Sequence, residues 1–237
     1  MTRSNHFQRT LFELQRKMGQ NVLFPLSRLA ERESIPTGFF DIDQLLGGQG
    51  IRSGQVTALC GKPSSGVTSL TYSLMAQAQQ QNRNVITMDL GETFDAYSAM
   101  QWGVLSEQVF AVRAHEAQAS VEIVRILIKN GVKLLVVLDT ADMQRSFYFL
   151  ELLKPILGQL KPELAKSNSA LLVLLTKVPS QAIQADYETV LKLEHRTWIK
   201  DGDNIRGYRV QATLLKASKI SGKPTALVDI LLKDGSL

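Results

Sequence analysis

Residues 56–69 read VTALCGKPSSGVTS: an apolar, strand-like run, a loop opened by Gly61 and closed by Gly66, then a segment that starts like a helix. That arrangement matches the phosphate-binding loop G-x-x-x-x-G-K-[ST], whose backbone N–H groups surround phosphate oxygens while its lysine reaches the outer phosphates. A chain built round such a unit folds as an α/β domain of nucleotide-binding type. Gly61, Gly66 and Thr68 hold their places here, but Val67 stands at the lysine position. The loop shape is kept and the cation that grips a triphosphate is gone.

The chain has 237 residues, 44% of them hydrophobic and 21% charged, enough for a full core in one compact domain with a short appendage. The opening MTRSNHFQRT is polar and unlike a signal peptide, and no run approaches the ~18 apolar residues of a membrane span. These features predict a cytoplasmic, nucleoid-associated protein without a membrane segment. Cys60 is the single cysteine and lies inside the apolar run, which predicts a buried, inert thiol.

Charge is unevenly placed. Residues 1–144 carry 13 Lys/Arg and 13 Asp/Glu, whereas residues 192–223 carry eight basic side chains against three acidic ones, the whole net excess of +5. Arg196, Lys200, Arg206, Arg209, Lys216 and Lys219 lie there with Trp198 and Tyr208. Cations beside aromatic faces predict a surface for DNA, single-stranded in preference, because phosphates attract the former and bases stack on the latter. A solvated face that only keeps the protein soluble is the competing explanation.

The pattern along the chain is an arm and linker over 1–33 followed by a core over 34–237. Phe7, Leu11, Leu14 and Met18 form one helical stripe across 5–18, with Gly19 as a stop. Strands are expected at 55–60, 85–89, 108–112, 133–139 and 170–176, with helices at 68–81, 96–102, 120–129 and 145–167. Apolar strands alternating with helices predict a mostly parallel central sheet covered on both faces. Beyond residue 185, TVLKLEHRTWIK, RGYRVQATLLKAS and TALVDILLK, separated by DGDN and SGKP, predict antiparallel hairpins.

IPTGFFDIDQLLGGQGIRSGQVTALCGKPSSGVTSL resembles the core entrance of RecA-type recombinases over its whole length. VITMDLGETFDAYSAMQWGV is similar to that family's second core strand and following helix, KLLVVLDTADM to its Walker B strand, and SALLVLLTKV to the strand feeding its second DNA-binding loop. The resemblance spans 34–232 and implies a RecA-like P-loop NTPase core carrying a C-terminal hairpin extension and an N-terminal helical arm.

It also implies a nucleotide site at Gly61, Lys62, Ser64, Ser65, Gly66, Val67, Thr68 and Ser69, with Asp139 and Thr68 holding Mg²⁺ if nucleotide binds. Against the family pattern, Val67 removes the gripping lysine, Gly91 replaces the activating glutamate with Glu92 one residue on, and Thr176-Lys177 replaces the Asn-Gln sensor. Lys62 is the nearest substitute cation. These changes point away from hydrolysis, so no cofactor is required, and ATP or ADP with Mg²⁺ is the ligand such a loop would take. Glu92 and Asp95, three apart, suit helix capping as well as catalysis. His6, His115 and His195 are too scattered for a metal site.

The recombinase DNA loops are reduced, since DTADMQRSFYFLELLKPIL runs straight into a helical pattern and PSQAIQADYE lacks glycine, lysine and arginine. Within the superfamily the chain most resembles the ImuA group. That implies a non-catalytic accessory role in SOS translesion synthesis, a polymerase-like or recombinase partner, and DNA contact. Phe7, Leu11, Phe12 and Leu14 on the arm are the expected partner-binding residues, for another protein or a second copy. The apolar run from Phe147 to Leu153 is a further candidate patch. Two other readings stay open: an ATP-dependent RecA paralogue with a site rerouted through Lys62 and Glu92, and a protein-binding cell-division inhibitor of SulA type.

Overall fold

The computed structural model describes residues 3–18, 33–89, 94–112, 117–130, 132–139, 149–217 and 224–232. The chain divides into two units, Met1–Arg32 and Glu33–Leu237. The first holds helix α1 (Arg3–Met18), which ends on Arg16 and Lys17, cations suited to the negative end of a helix dipole. On it Phe7 and Phe12 are exposed, Leu14 is 39% exposed and Leu11 is half-buried.

The second unit begins with β1 (Ser34–Ile35), α2 (Phe40–Leu45) and β2 (Ile51–Arg52), the two short strands pairing antiparallel. There follow β3 (Val56–Cys60), α3 (Val67–Gln80), β4 (Asn84–Asp89), α4 (Ala96–Gln101), β5 (Val109–Val112), α5 (Ala117–Lys129), β6 (Leu134–Asp139), α6 (Phe149–Ser167), β7 (Ala170–Leu175) and α7 (Gln181–Gln184). A meander of β8 (Thr189–Asp201), β9 (Asn204–Lys216) and β10 (Thr225–Leu231) completes it. Strand order in the large sheet is β10-β9-β8-β3-β7-β6-β4-β5. The pairs from β8 through β5 are parallel, while β8–β9 and β9–β10 are antiparallel.

Side-chain alternation sorts the sheet into two faces. Leu59, Leu135, Val137, Leu172 and Leu174 pack with Leu70, Leu74 and Met75 of α3 and with Ile42 of α2. Ala58, Cys60, Val136, Leu138, Leu171 and Val173 pack with Val121, Val124 and Ile128 of α5 and with Ile156, Leu157, Leu160 and Leu164 of α6. Both faces of the central strands are therefore dry, which is why those segments read as continuous apolar runs. β5 departs from that pattern: Phe110 is 55% exposed, because this strand forms the sheet margin and has one neighbour. Leu193, Val210, Val228 and Ile230 of the meander join the α3 side, carrying β9 and β10 across the start of α3.

Glu33 opens the core unit with two contacts. Its carboxylate accepts from Arg83 Nη2 at 2.6 Å and from Lys133 Nζ at 2.7 Å. Arg83 is 2% exposed and also donates to the Asn168 carbonyl at 2.5 Å, so a guanidinium is buried with its donors satisfied. Among the described residues no helix is long and apolar enough to cross a membrane.

Candidate functional site

The loop between β3 and α3 is fixed at both ends. Gly61 N–H donates to the Leu175 carbonyl at 2.9 Å, and Ser65 N–H donates to the Lys62 carbonyl at 3.1 Å, closing a turn. A Cβ on Gly61 would lie 2.1 Å from Ser65 Oγ and 2.9 Å from the Leu193 carbonyl oxygen, so only glycine brings the loop this close to β8. Gly66 adopts φ +91°, and a Cβ there would meet Ile230 Cδ1 at 2.8 Å. It is the N-cap of α3, and no side chain caps that helix. The first N–H groups of a helix lack intrahelical acceptors and carry its positive end, which is how such a loop favours an anion.

A pocket of about 320 Å³ adjoins the loop, lined by residues 61–69 and by Tyr72, Phe94, Asp139, Thr176 and Tyr208 among others. Ser65 is 3% exposed and its hydroxyl has no hydrogen-bond partner. Val67 is half-buried and packs against the apolar cluster that contains Tyr72, Tyr208, Val210 and Ile230. Thr68 is exposed in the first turn of α3. Ser69 Oγ and Tyr208 Oη are 2.7 Å apart.

Lys62 is exposed. The parallel register sets Cys60 opposite Lys192, the last pair before the loop, and the charge of Lys62 in that loop acts on Glu194. Glu194 is 2.8 Å from Lys192 Nζ and 3.8 Å from Arg196 Nη2. The Lys192 hydrogen bond holds the Glu194 carboxyl below its ordinary value against slight desolvation, helped by the fields of Lys192, Arg196 and Lys62. The loop's substitute cation thus has a carboxylate for company.

At the far side of the pocket Asp139 ends β6 opposite Asp89 of β4, which is 1% exposed and accepts from Phe94 N–H at 3.4 Å. Tyr72, edge-on to Phe94 at 5.8 Å, has its phenol pushed up to about 12, first by burial; the Asp95 backbone hydrogen bond opposes this, and the charges of Asp95, Asp139 and Asp89 reinforce it. Asp95 caps α4 through Ser98 N–H at 3.1 Å, the structural role its spacing suggested. Glu92 lies outside the described residues. Cys60 is fully buried, and desolvation pushes its thiol up to about 12. Among the described residues no three His, Cys, Asp or Glu side chains gather as a metal site.

The basic strands are more self-engaged than their sequence suggests. Arg209 forms a two-point pair with Asp229 at 2.6 and 2.8 Å. Arg206 lies 3.3 Å from Asp201, and Arg196 donates to Gln211 Oε1 at 2.6 and 3.0 Å. Lys216 Nζ donates to the carbonyls of Gln184, Ala185 and Tyr187. Lys200 is exposed, and Lys219 lies outside the described residues. Trp198, 45% exposed, sits 4.9 Å from His195 and 5.9 Å from Tyr208 between ring centres. Phe147 and Tyr148 fall outside the description, as do the side chains from Phe149 to Leu153, His6 and His115. The role of Tyr208 at the loop had no sequence signal beyond its place in an alternating strand.

Loop, helix and crossover strands together define an α/β protein of P-loop architecture. The RecA N-terminal domain family matches residues 5–144, more than half of the chain, and the chain belongs to that family. It is similar to Protein RecA of Aquifex aeolicus (strain VF5), at 24% identity over 95% of this chain and 74% of that protein. Protein RecA of Herpetosiphon aurantiacus is 24% identical over 95% of this chain and 71% of its own length. A mitochondrial DNA repair protein recA homolog of Dictyostelium discoideum is 25% identical over 96% and 57% respectively.

Proposed function

We propose that this protein is a RecA-like accessory factor of DNA repair that works by assembly instead of nucleotide turnover, in the manner of the ImuA group in SOS translesion synthesis. One observation carries the reading: Val67 packs into an apolar cluster where the phosphate loop would present a cation. Thr176 at the pocket wall and Lys62 within the field of Glu194 support it, since neither supplies an unopposed charge to the outer phosphates. Phosphoryl transfer depends on positioning and charge stabilisation, and both are weakened here. Should a nucleotide bind, residues 61–69 would hold it, with Thr68 and Asp139 beside Mg²⁺.

DNA contact is assigned to Arg196, Lys200, Arg206 and the half-exposed ring of Trp198. Arg209 and Lys216 contribute less, because Asp229 and three backbone carbonyls already engage them. The arm residues Phe7, Leu11, Phe12 and Leu14 would bind the polymerase-like partner or a second copy. The name of the Dictyostelium relative is consistent with a repair setting.

Phosphate release from ATP by the purified protein, with and without single-stranded DNA, tests the reading. No turnover above background is expected. Sustained hydrolysis abolished by Lys62→Ala would instead establish the rerouted ATPase.

A further inference from the structure

β10 ends one side of the large sheet, with β9 as its single strand neighbour. Its pairing with β9 runs from Thr225 opposite Thr213 to Leu231 opposite Gly207. Just beyond each end, Leu214 N–H donates to the Pro224 carbonyl at 3.0 Å and Leu232 N–H to the Arg206 carbonyl at 2.9 Å. Antiparallel ladders alternate bonded and non-bonded pairs. Ala226, Val228 and Ile230 therefore bond to β9, while Thr225, Leu227, Asp229 and Leu231 turn their N–H and C=O groups to the open margin. Among the described residues no backbone or side-chain group pairs with them there.

The same residues carry the outward side chains. Leu227 is 56% and Leu231 61% exposed, whereas Val228 and Ile230 are buried. A groove of about 390 Å³ lies along this margin, with Phe39, Phe40 and Asp41 on one side and Leu227 and the Arg209–Asp229 pair on the other. Phe40, the first residue of α2, is 74% exposed. Soluble proteins ordinarily cover or charge an unpaired strand margin flanked by large apolar side chains. Asp229 already neutralises Arg209. That leaves Asp41, exposed in the first turn of α2, as the unopposed charge of the groove among the described residues.

We propose that the β10 margin and the groove beside α2 bind an extended segment of a partner protein, which adds as a further strand and alternates apolar with basic side chains. Its backbone fills the open N–H and C=O row. Its apolar side chains cover Leu227 and Leu231, and a lysine or arginine lays its stem on Phe40 and its charge beside Asp41. Two copies of β10 fit less well, since their full-length antiparallel pairing sets each Leu227 opposite an Asp229. Phe40, Asp41, Leu227 and Leu231 belong to neither the phosphate loop nor the strands assigned to DNA.

Hydrogen exchange of the full chain, read by NMR, tests this with a capped eight-residue peptide of alternating valine and lysine as probe. At about 1 mM peptide, exchange at Leu227 and Asp229 should slow severalfold, with Val228 and Ile230 unchanged because β9 already holds their amides. The valine–glutamate counterpart should bind at least about tenfold more weakly, and Asp41→Lys should erase that preference. Leu227→Pro deletes one outward donor and leaves the β9 ladder intact, a change that edge strands accept. It should abolish the protection at Asp229 with Tm little changed. Unaltered exchange in wild type, equal binding of the two peptides, or full binding by Leu227→Pro would each overturn the proposal. So would protection of the same amides that grows with protein concentration alone, which would make a second copy the occupant. The wild-type comparison of the two peptides decides the matter even if Leu227→Pro fails to fold.

Discussion

Ser69 Oγ lies 2.7 Å from Tyr208 Oη, so a hydroxyl in the first turn of α3 and a phenol on β9 are joined across 139 residues of chain. With Ile230 against Gly66, this bond ties the antiparallel meander to the phosphate loop. Tyr208→Phe should cost about 1 kcal/mol in urea unfolding, and Ser69→Ala a similar amount. A double-mutant cycle should return a coupling of about 0.5–1.5 kcal/mol. Strictly additive losses would mean that the two hydroxyls do not interact in solution.

Glu33 and Arg83 should respond unequally to substitution. Arg83 has a side chain 1% exposed while Glu33 is 43% exposed. Glu33→Ala leaves a buried guanidinium without its counter-ion and should cost about 3 kcal/mol or more. Arg83→Met removes the buried charge itself and should cost about 1–2 kcal/mol, chiefly from the Asn168 carbonyl it leaves unserved. Denaturant midpoints of the two variants check the order.

Salt dependence separates a phosphate-binding face from a merely soluble one. Replacing Arg196, Lys200 and Arg206 together by alanine should flatten the plot of log affinity against log salt by about 2 for single-stranded DNA, at ~0.7 per lost phosphate contact. Arg209→Ala should change affinity less, because Asp229 already holds that guanidinium. Filter binding or fluorescence anisotropy at several salt concentrations reads both, and an unaltered slope would remove DNA from this face.

Alkaline pH should loosen the fold. The Cys60 thiol, whose ordinary value is 9.0, is held up to about 12 by burial, and the buried phenol of Tyr187 is raised as well. Below pH 9 these groups are protonated in both folded and unfolded chains and favour neither. Above it the unfolded chain releases protons that the folded one retains, so stability falls as pH rises toward the folded values. Melting curves should stay level between pH 7 and 9, then lose on the order of 2 kcal/mol by pH 11. Cys60→Ala should shift the onset of that loss upward.

Much of this architecture was legible because the central strands are dry on both faces. The expected segments 85–89 and 170–176 correspond to Asn84–Asp89 and Ala170–Leu175, and the helix expected over 68–81 runs Val67–Gln80. The helix expected from 145 is described from Phe149 onward. The glycines at 61 and 66 foretold the loop, since no other residue tolerates those approaches. Long-range polar partners were not legible. Lys216 and Arg209 read as free cations, but one is captured by carbonyls near α7 and the other by Asp229 on the adjacent strand. Arg83 carries no sequence signal of burial, and only the packed structure reveals Glu33 and Asn168 around it. Patterns of polarity encode faces; they do not encode which charge meets which.

The position of β3 has a consequence for how the molecule is made. Its neighbours are β7 on one side and β8 on the other, and roughly 110 residues separate Cys60 from the first residue of β7. On a ribosome adding ~5–20 residues per second, β3 waits on the order of ten seconds with both hydrogen-bonding margins bare. The hairpins from β8 to β10 need only local closure and assemble quickly once synthesised. The phosphate loop is therefore among the last features to take shape, and nascent chains halted before β7 would be prime clients for chaperones.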